Sequence, residues 1–508
     1  MTAWLLAAAL AAGGDRDQDF RQALELVYSG FTETAIQKLG SLAAASPDDP
    51  TGWYLEALAL CWKIEEQPSS TALDPLLHAK LDHAISVAEA RLRADPRDLR
   101  ALLARAGAHG VRCRLHLFRW ERWAAARAAA RMRSELLEVR ELDPASKDVV
   151  FGLGLYEYFA GALPGAVKLL RFLTGLPGGD RERGLRLIEG AGQGTLFHST
   201  EVQVQLFEIY ADFEGDPDRA LVELRDLRSR YPDAPLWGLK LTELLCRMGL
   251  YGESAAVARE VLDESWRGHS NYTAVVAAMA RVSLGEALLL DLSLDAAREA
   301  LLAARDGFPG QPRLATAAEW LLGRCLELSG DRESSLVHYR KAALGADPEV
   351  RRQAREALSS PIPAEQVRAA GELSAGRRLR EAGRWGEAAL AYRRALEAWP
   401  HSQEAALGVA EELIREGQTD WAREVARRAA TAPAQASPPW VTPWSHLLLG
   451  RICDLAGMRD EARREYRRVL AAASGRVDFK RAAEQGLETP YSGGAPREGR
   501  PGSSHYRN

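Results

Sequence analysis

The sequence predicts an all-α protein: an α-solenoid of antiparallel helix pairs, arranged in two arrays. Two observations carry this. A twelve-residue interval from an alanine to a proline recurs, from Ala35 to Pro47, Ala84 to Pro96, Ala220 to Pro232, Ala297 to Pro309 and Ala388 to Pro400. Apolar residues lie between at helical spacing, as with Leu224 and Leu227, so each interval reads as one helix that a proline ends. No run alternates polar and apolar residues with period two, so no β-sheet is expected. At 508 residues the chain also exceeds what one core sustains, which suits an array whose units touch mainly their neighbours.

Taken in order, the chain opens with an apolar run from Ala3 to Ala12, then small residues, then charge. This is the pattern of a secretory signal, with Ala9-Leu10-Ala11 or Ala11-Ala12-Gly13 as the processing site. Residues 1–13 are therefore expected to be cleaved and the protein to be periplasmic or secreted; without cleavage it would be cytoplasmic. No later window approaches ~20 consecutive apolar residues, so no transmembrane segment is expected.

Residues 15–358 read as a degenerate first array, interrupted between Phe151 and Leu185 by eight glycines and two prolines. The interruption lacks the Gly-Lys-Ser/Thr of a phosphate loop, and Glu157 stands where a dinucleotide fingerprint needs its third glycine. The spacing predicts instead a helix over Phe151–Ala160, then an extra apolar helix near 164–174 beginning at Pro164, with Val167, Leu170 and Leu173 on one face. Asp180 is placed to cap the next helix. Breaks rich in Pro and Ser at Ser359–Pro363 and Ala432–Pro443 mark joints. Residues 364–485 form the second, more regular array, and residues 486–508 are rich in Gly, Pro and Ser and expected to be disordered.

The second array shows its packing positions most clearly. Gly376 precedes Ala388 by twelve, with Gly383 in the turn, and Ala388, Tyr392 and Ala395 share one helix face. Gly450, Ala462 and Tyr466 repeat these offsets, as do Gly323 and Tyr339 with Ser335 in place of alanine. This pattern resembles the tetratricopeptide repeat: small residues where two helices cross closely and an aromatic in the gap. The order GLGLYEYF…LLRFL…GLPGGDRERGLRLIEGA, followed by EVQVQLFEIYADFEGDPDRALVELRDLRSRYP, is similar to uncharacterised bacterial proteins of this repeat type. It is more distantly similar to the eukaryotic repeat family that includes the yeast inclusion-body clearance protein. The similarity covers about residues 80–235; it implies an all-helical scaffold and brings no catalytic residue with it.

No chemistry-bearing constellation accompanies the repeats. The five cysteines lie far apart without CxxC spacing, and no HExxH or GxSxG occurs, so neither catalysis nor a metal or other cofactor is expected. With a formal net charge of -4, no global attraction to nucleic acid is expected. One local feature departs from this balance. Nine arginines lie between Arg100 and Arg133 against a single acid, Glu121. Arg105, His109, Arg112, His116 and Arg119 fall on one helical stripe. Either this is an internally paired face or it recognises an anion, such as an acidic segment of a partner protein. In the second case His109 and His116 would strengthen capture near pH 6. The function expected is a non-catalytic protein-protein interaction scaffold, the alternative being a groove that takes a glycan or small anionic ligand.

Overall fold

The computed structural model describes residues 16–66, 70–162, 177–306, 311–431, 438–472 and 477–493. The expected signal segment, the inserted helix near 164–174 and the end of the tail lie outside these residues. The described residues contain helices and no strand, as the absence of period-two patterning predicts.

The chain divides into two compact units, Met1–Phe213 with Val222–Trp237, and Glu214–Leu221 with Gly238–Asn508. This division lies well before the Ser359–Pro363 joint, which is tied to the helix Pro312–Leu328 by a hydrogen bond from Ile362 N to Glu327 Oε1 (3.0 Å).

The first unit holds α1 (16–28), α2 (Thr32–Ala45), α3 (Pro50–Glu65), α4 (Asp74–Ala94), α5 (Leu99–Phe118), α6 (Arg122–Leu142), α7 (Lys147–Ala162), α8 (Arg181–Ala191) and α9 (Ser199–Glu208). The boundary between units passes through α10 (Pro217–Arg230) and α11 (Pro235–Arg247). The second unit continues with α12 (Tyr251–Trp266), α13 (Ala274–Leu290), α14 (Leu294–Asp306), α15 (Pro312–Leu328), α16 (Arg332–Ala342) and α17 (Pro348–Ser359). It ends with α18 (Ala364–Glu381), α19 (Trp385–Ala398), α20 (Gln403–Arg415), α21 (Thr419–Ala430), α22 (Val441–Leu455), α23 (Arg459–Ala471) and α24 (Val477–Glu488). Most consecutive helices pack on each other along each unit.

The recurring alanines and prolines do what their spacing predicts. Ala35, Ala84, Ala220, Ala297 and Ala388 are all buried. Helices α2, α4, α10 and α19 each stop two residues before their proline, because the residue preceding proline is pushed out of the helical region. Asp180 Oδ1 accepts from Arg183 N (2.9 Å) and so caps α8. Glycines let α7 and α8 touch: a Cβ on Gly184 would stand 2.2 Å from Tyr158 N. At the other end, α24 runs through Gly486, and Tyr491 N donates to Asp454 Oδ2 (2.9 Å). The chain therefore stays packed past the point where disorder is expected to begin.

The turns between paired helices follow one plan. The residue after the helix enters the left-handed region, its N–H bonding three residues back and the next N–H bonding five back, as Gly330 does to Glu327 O and Asp331 to Leu326 O. Glycine fills this position at Gly30, Gly249, Gly330, Gly383, Gly417 and Gly457. Two turns with the same hydrogen bonds depart from this: Leu292 (φ 61°), and Trp120 (φ 60°) between α5 and α6. A branched or bulky residue there costs roughly 1–2 kcal/mol. Leu292 offsets this by packing on the core, whereas Trp120 remains 79% exposed.

Candidate functional site

The arginine stripe lies on α5 and its C-terminal cap, Arg119, and the structure pairs it within the first unit. Arg105 Nε stands 2.8 Å from Glu135 Oε1, Arg112 Nη2 2.5 Å from Asp82, and His116 Nδ1 2.6 Å from Glu121. Arg119 binds Asp74 through two hydrogen bonds of 2.6 Å and also donates to Ser70 O. His109 is buried, and burial, followed by the nearby Arg112, Arg131 and Arg105, lowers its pKa to about 4. It is therefore neutral at pH 6 and does not provide the pH-dependent capture expected of it. The five residues are brought to one face, but each arginine and His116 is engaged with a carboxylate of a neighbouring element or the following turn.

Long-range polar groups in the first unit were invisible in the sequence. Arg114 joins Glu65 (2.6 Å) and Glu201 (2.7 Å) with its guanidinium 4.9 Å from the Trp62 ring centroid. Burial is the main cause of a rise in the Glu65 pKa to about 7, opposed by Arg114 and reinforced by Glu208 and Glu201. A second chain runs from Tyr54 Oη to His198 Nε2 (2.6 Å) and from His198 Nδ1 to Asp148 Oδ1 (2.6 Å). Asp148 also accepts from Leu196 N (2.7 Å), so this chain fastens the loop before α9 to α3 and α7.

In the second unit the repeat packing and the polar groups form one pattern. The Tyr392 ring lies between Gly376 and Gly408, where added Cβ atoms would come within 2.7 and 2.1 Å of it. Tyr466 lies likewise between Gly450 and Gly486. Ala388, Ala395 and Ala462 are buried beside them. The rings' hydroxyls then differ. Tyr339 Oη donates to Glu327 (2.7 Å) and Tyr466 Oη to Asp454 (2.8 Å), each acid lying twelve residues before its tyrosine. Arg332 and Arg459, five residues after each acid, bind it at 2.6 and 2.9 Å and also donate to carbonyls further along the chain. In the third copy the register reads Arg380, Trp385, Tyr392. The acid has become an arginine, the arginine a tryptophan, and Tyr392 makes no hydrogen bond among the described residues.

This exchange builds a cationic and aromatic cluster along α18, α20 and α22. Arg380 is held by Glu411 (2.9 Å) and Asp478 (3.2 Å), with Trp444 and Phe479 ring centroids each 4.8 Å away. Arg377 forms a two-pronged pair with Glu404 (2.6 and 2.8 Å) and lies 4.8 Å from the Trp440 ring. Arg451 shares Glu411 (3.0 Å). Arg377, Arg380, Glu404, Trp440 and Phe479 line a small cleft together with Trp444, whose Nε1 is buried with no acceptor among the described residues. Burial works against the Arg380 charge, but Glu411 and Asp478 outweigh it and hold its pKa up. Arg415 is the exception. It is half-buried, 4.0 Å from the Trp385 ring, and has no carboxylate bonded to it among the described residues. Its pKa is pulled down by burial and by Arg451, against the pull of Glu411. The cluster therefore has one guanidinium without its own anion. The acid–Arg–Tyr spacing was available in the sequence as a signal; the aromatic cleft was not, because Trp440 and Trp444 are far in sequence from Arg380.

Glycine-to-tyrosine crossings of this kind define an α-solenoid of tetratricopeptide-type helix pairs. No family model and no curated protein matches the sequence. Among solved structures, the chain is similar to a tetratricopeptide repeat protein from Parabacteroides merdae, at 14% identity over 56% of this chain and 98% of that one, with a TM-score of 0.23. It is also similar to a human IFIT1 dimer with m7Gppp-AAAA, at 16% identity over 87% of this chain and 78% of that one, with a TM-score of 0.26. At such scores the repeat assignment stands on the packing of Gly376, Tyr392, Gly450 and Tyr466. Among the described residues no group of His, Cys, Asp or Glu could hold a metal ion, and no helix is long and apolar enough to cross a membrane.

Proposed function

We propose that the protein is a non-catalytic interaction scaffold that holds an acidic segment of a partner protein at the Arg415–Trp385 end of the second unit's cationic cluster. The observation that supports this is the half-buried Arg415 guanidinium on Trp385 with no carboxylate of its own. A planar guanidinium backed by an aromatic ring suits two-pronged binding of a carboxylate, and its preset position reduces the entropy lost on binding. The neighbouring arginines hold their own acids, so the site would select one or two carboxylates rather than any polyanion. The test is capture from native cells with the whole chain and with R415Q. Partners that share an acidic segment and are lost with R415Q support the reading; an identical set from both chains sinks it.

The partly exposed Trp385 ring beside Arg415 favours a second reading, a glycan or small anionic ligand held there. Saturable binding of such a purified ligand without any protein partner would select it. The scaffold is further proposed to act outside the cytoplasm, on the strength of the apolar run at its start. Intact mass of protein from native cells should then lack about eleven to thirteen residues; retention of Met1 or Thr2 would place it in the cytoplasm.

A further inference from the structure

We propose that the turn between α5 and α6 is a membrane-contact tip that seats Trp120 and Trp123 at the surface of an anionic lipid bilayer. The inference goes beyond the scaffold reading and does not depend on it. It begins from the backbone. Six turns of the same hydrogen-bonding plan place glycine at the left-handed position, and this turn places a tryptophan there at φ 60°. The other non-glycine case, Leu292, packs on the core, but Trp120 is 79% exposed and gains no such burial. A strained position that holds a large apolar ring in solvent gains no core burial in return, only a contact with Arg122.

The surroundings fit a bilayer surface. Leu117 (57% exposed) and Trp123 (51% exposed) flank Trp120, so the tip offers three adjacent apolar side chains. Indole rings settle at the headgroup level of a membrane, where their apolar body and N–H are both accommodated. Arg122 lies 5.8 Å from the Trp120 ring centroid at the start of α6. Trp123, Arg127 and Arg131 then fall at i, i+4 and i+8 on one exposed face of that helix. Unlike the α5 arginines, Arg122, Arg127 and Arg131 make no close ion pair among the described residues, and only Arg131 feels a carboxylate at longer range, Glu135, which Arg105 already holds. An apolar tip with exposed cations free of close ion pairs behind it matches a surface that is apolar below and phosphate-bearing above. The arginine stems can lie along the tip while their heads reach phosphate oxygens. An exposed turn is better placed to enter such a surface than to enclose a peptide, which needs a groove.

The test is flotation of the full chain with phosphatidylcholine vesicles, with and without one third phosphatidylglycerol. The wild type should float with the anionic vesicles only, and less as salt rises. W120G installs the residue the six sibling turns use, so its helical spectrum and melting temperature should be kept or raised. Its partition should nevertheless fall at least about tenfold. R127Q and R131Q should each weaken partition about fivefold. Three results would overturn the proposal: wild type that stays down with anionic vesicles, W120G that floats as well as wild type, or equal flotation on neutral vesicles. Wild type that ignores vesicles but shifts an oligonucleotide would assign the cations to nucleic acid and overturn it as well.

Discussion

Tyr392 and Tyr466 occupy equivalent gaps between glycines, yet their hydroxyls live in different surroundings, and this gives a test at single-residue resolution. Tyr466 donates to Asp454, which also receives Arg459 and Tyr491 N. Removing the hydroxyl leaves a fully buried carboxylate short of one donor, which costs about 1–3 kcal/mol. Tyr392 makes no such bond, so Tyr392→Phe should change denaturant stability by less than about 0.5 kcal/mol, while Tyr466→Phe lowers it by the larger amount. Equal effects would remove the distinction between the two registers. The glycines beside these rings are a second check. Gly408→Ala places a methyl 2.1 Å from the Tyr392 ring, which is itself confined by Gly376, so the ring cannot move away. Overpacking there should cost about 1–3 kcal/mol; an unchanged unfolding midpoint would mean that the helices part freely at this crossing.

At the scale of the helix, α5 shows what the sequence reveals and what it hides. Its boundaries, its stripe of basic residues and its buried Ala104, Ala108, Val111 and Leu115 all follow from local spacing. So do the Ala-to-Pro helices and the glycine crossings, because those contacts recur at fixed offsets. The partners of the stripe do not, since Asp74, Asp82 and Glu135 come from α4 and α6 and no fixed spacing links them to α5. The Arg380–Trp444–Phe479 cluster was hidden for the same reason. The pairing changes what mutation of the stripe should do. Arg119 and Asp74 are both mostly buried and joined through two hydrogen bonds. Arg119→Glu sets two carboxylates against each other and should lower stability by about 2–4 kcal/mol, detected as an earlier thermal transition. A variant that melts like wild type while losing a partner would return α5 to the role of a recognition helix.

For the whole protein, pH dependence separates its internal charges from its net charge of -4. Glu65 is ionised in the unfolded chain above about 4.5. In the folded first unit, burial, with Arg114 already shared by Glu201, raises its pKa to about 7. A raised acid binds its proton more tightly when folded, so its stabilising contribution is complete below about pH 4.5 and is lost as pH rises through 7. Glu135, also raised to about 7 chiefly by burial, acts in the same direction. His109 opposes them: with a folded pKa near 4 it contributes above about 6.5, and that contribution is lost as pH falls toward 4. Glu286 and Asp291 in the second unit are also raised by burial, so the acids that gain protons on folding outnumber His109, and stability should rise as pH is lowered from 8 toward 5. Glu65→Gln cannot take up the proton, and its stability at pH 8 should approach that at pH 6, with the wild-type difference reduced by about 1–3 kcal/mol. Melting temperatures of both chains across pH 5–8 measure this directly. A wild-type curve that falls steadily from pH 8 to 5, or a variant with an unchanged slope, would show that Glu65 remains ionised against Arg114 in the folded unit.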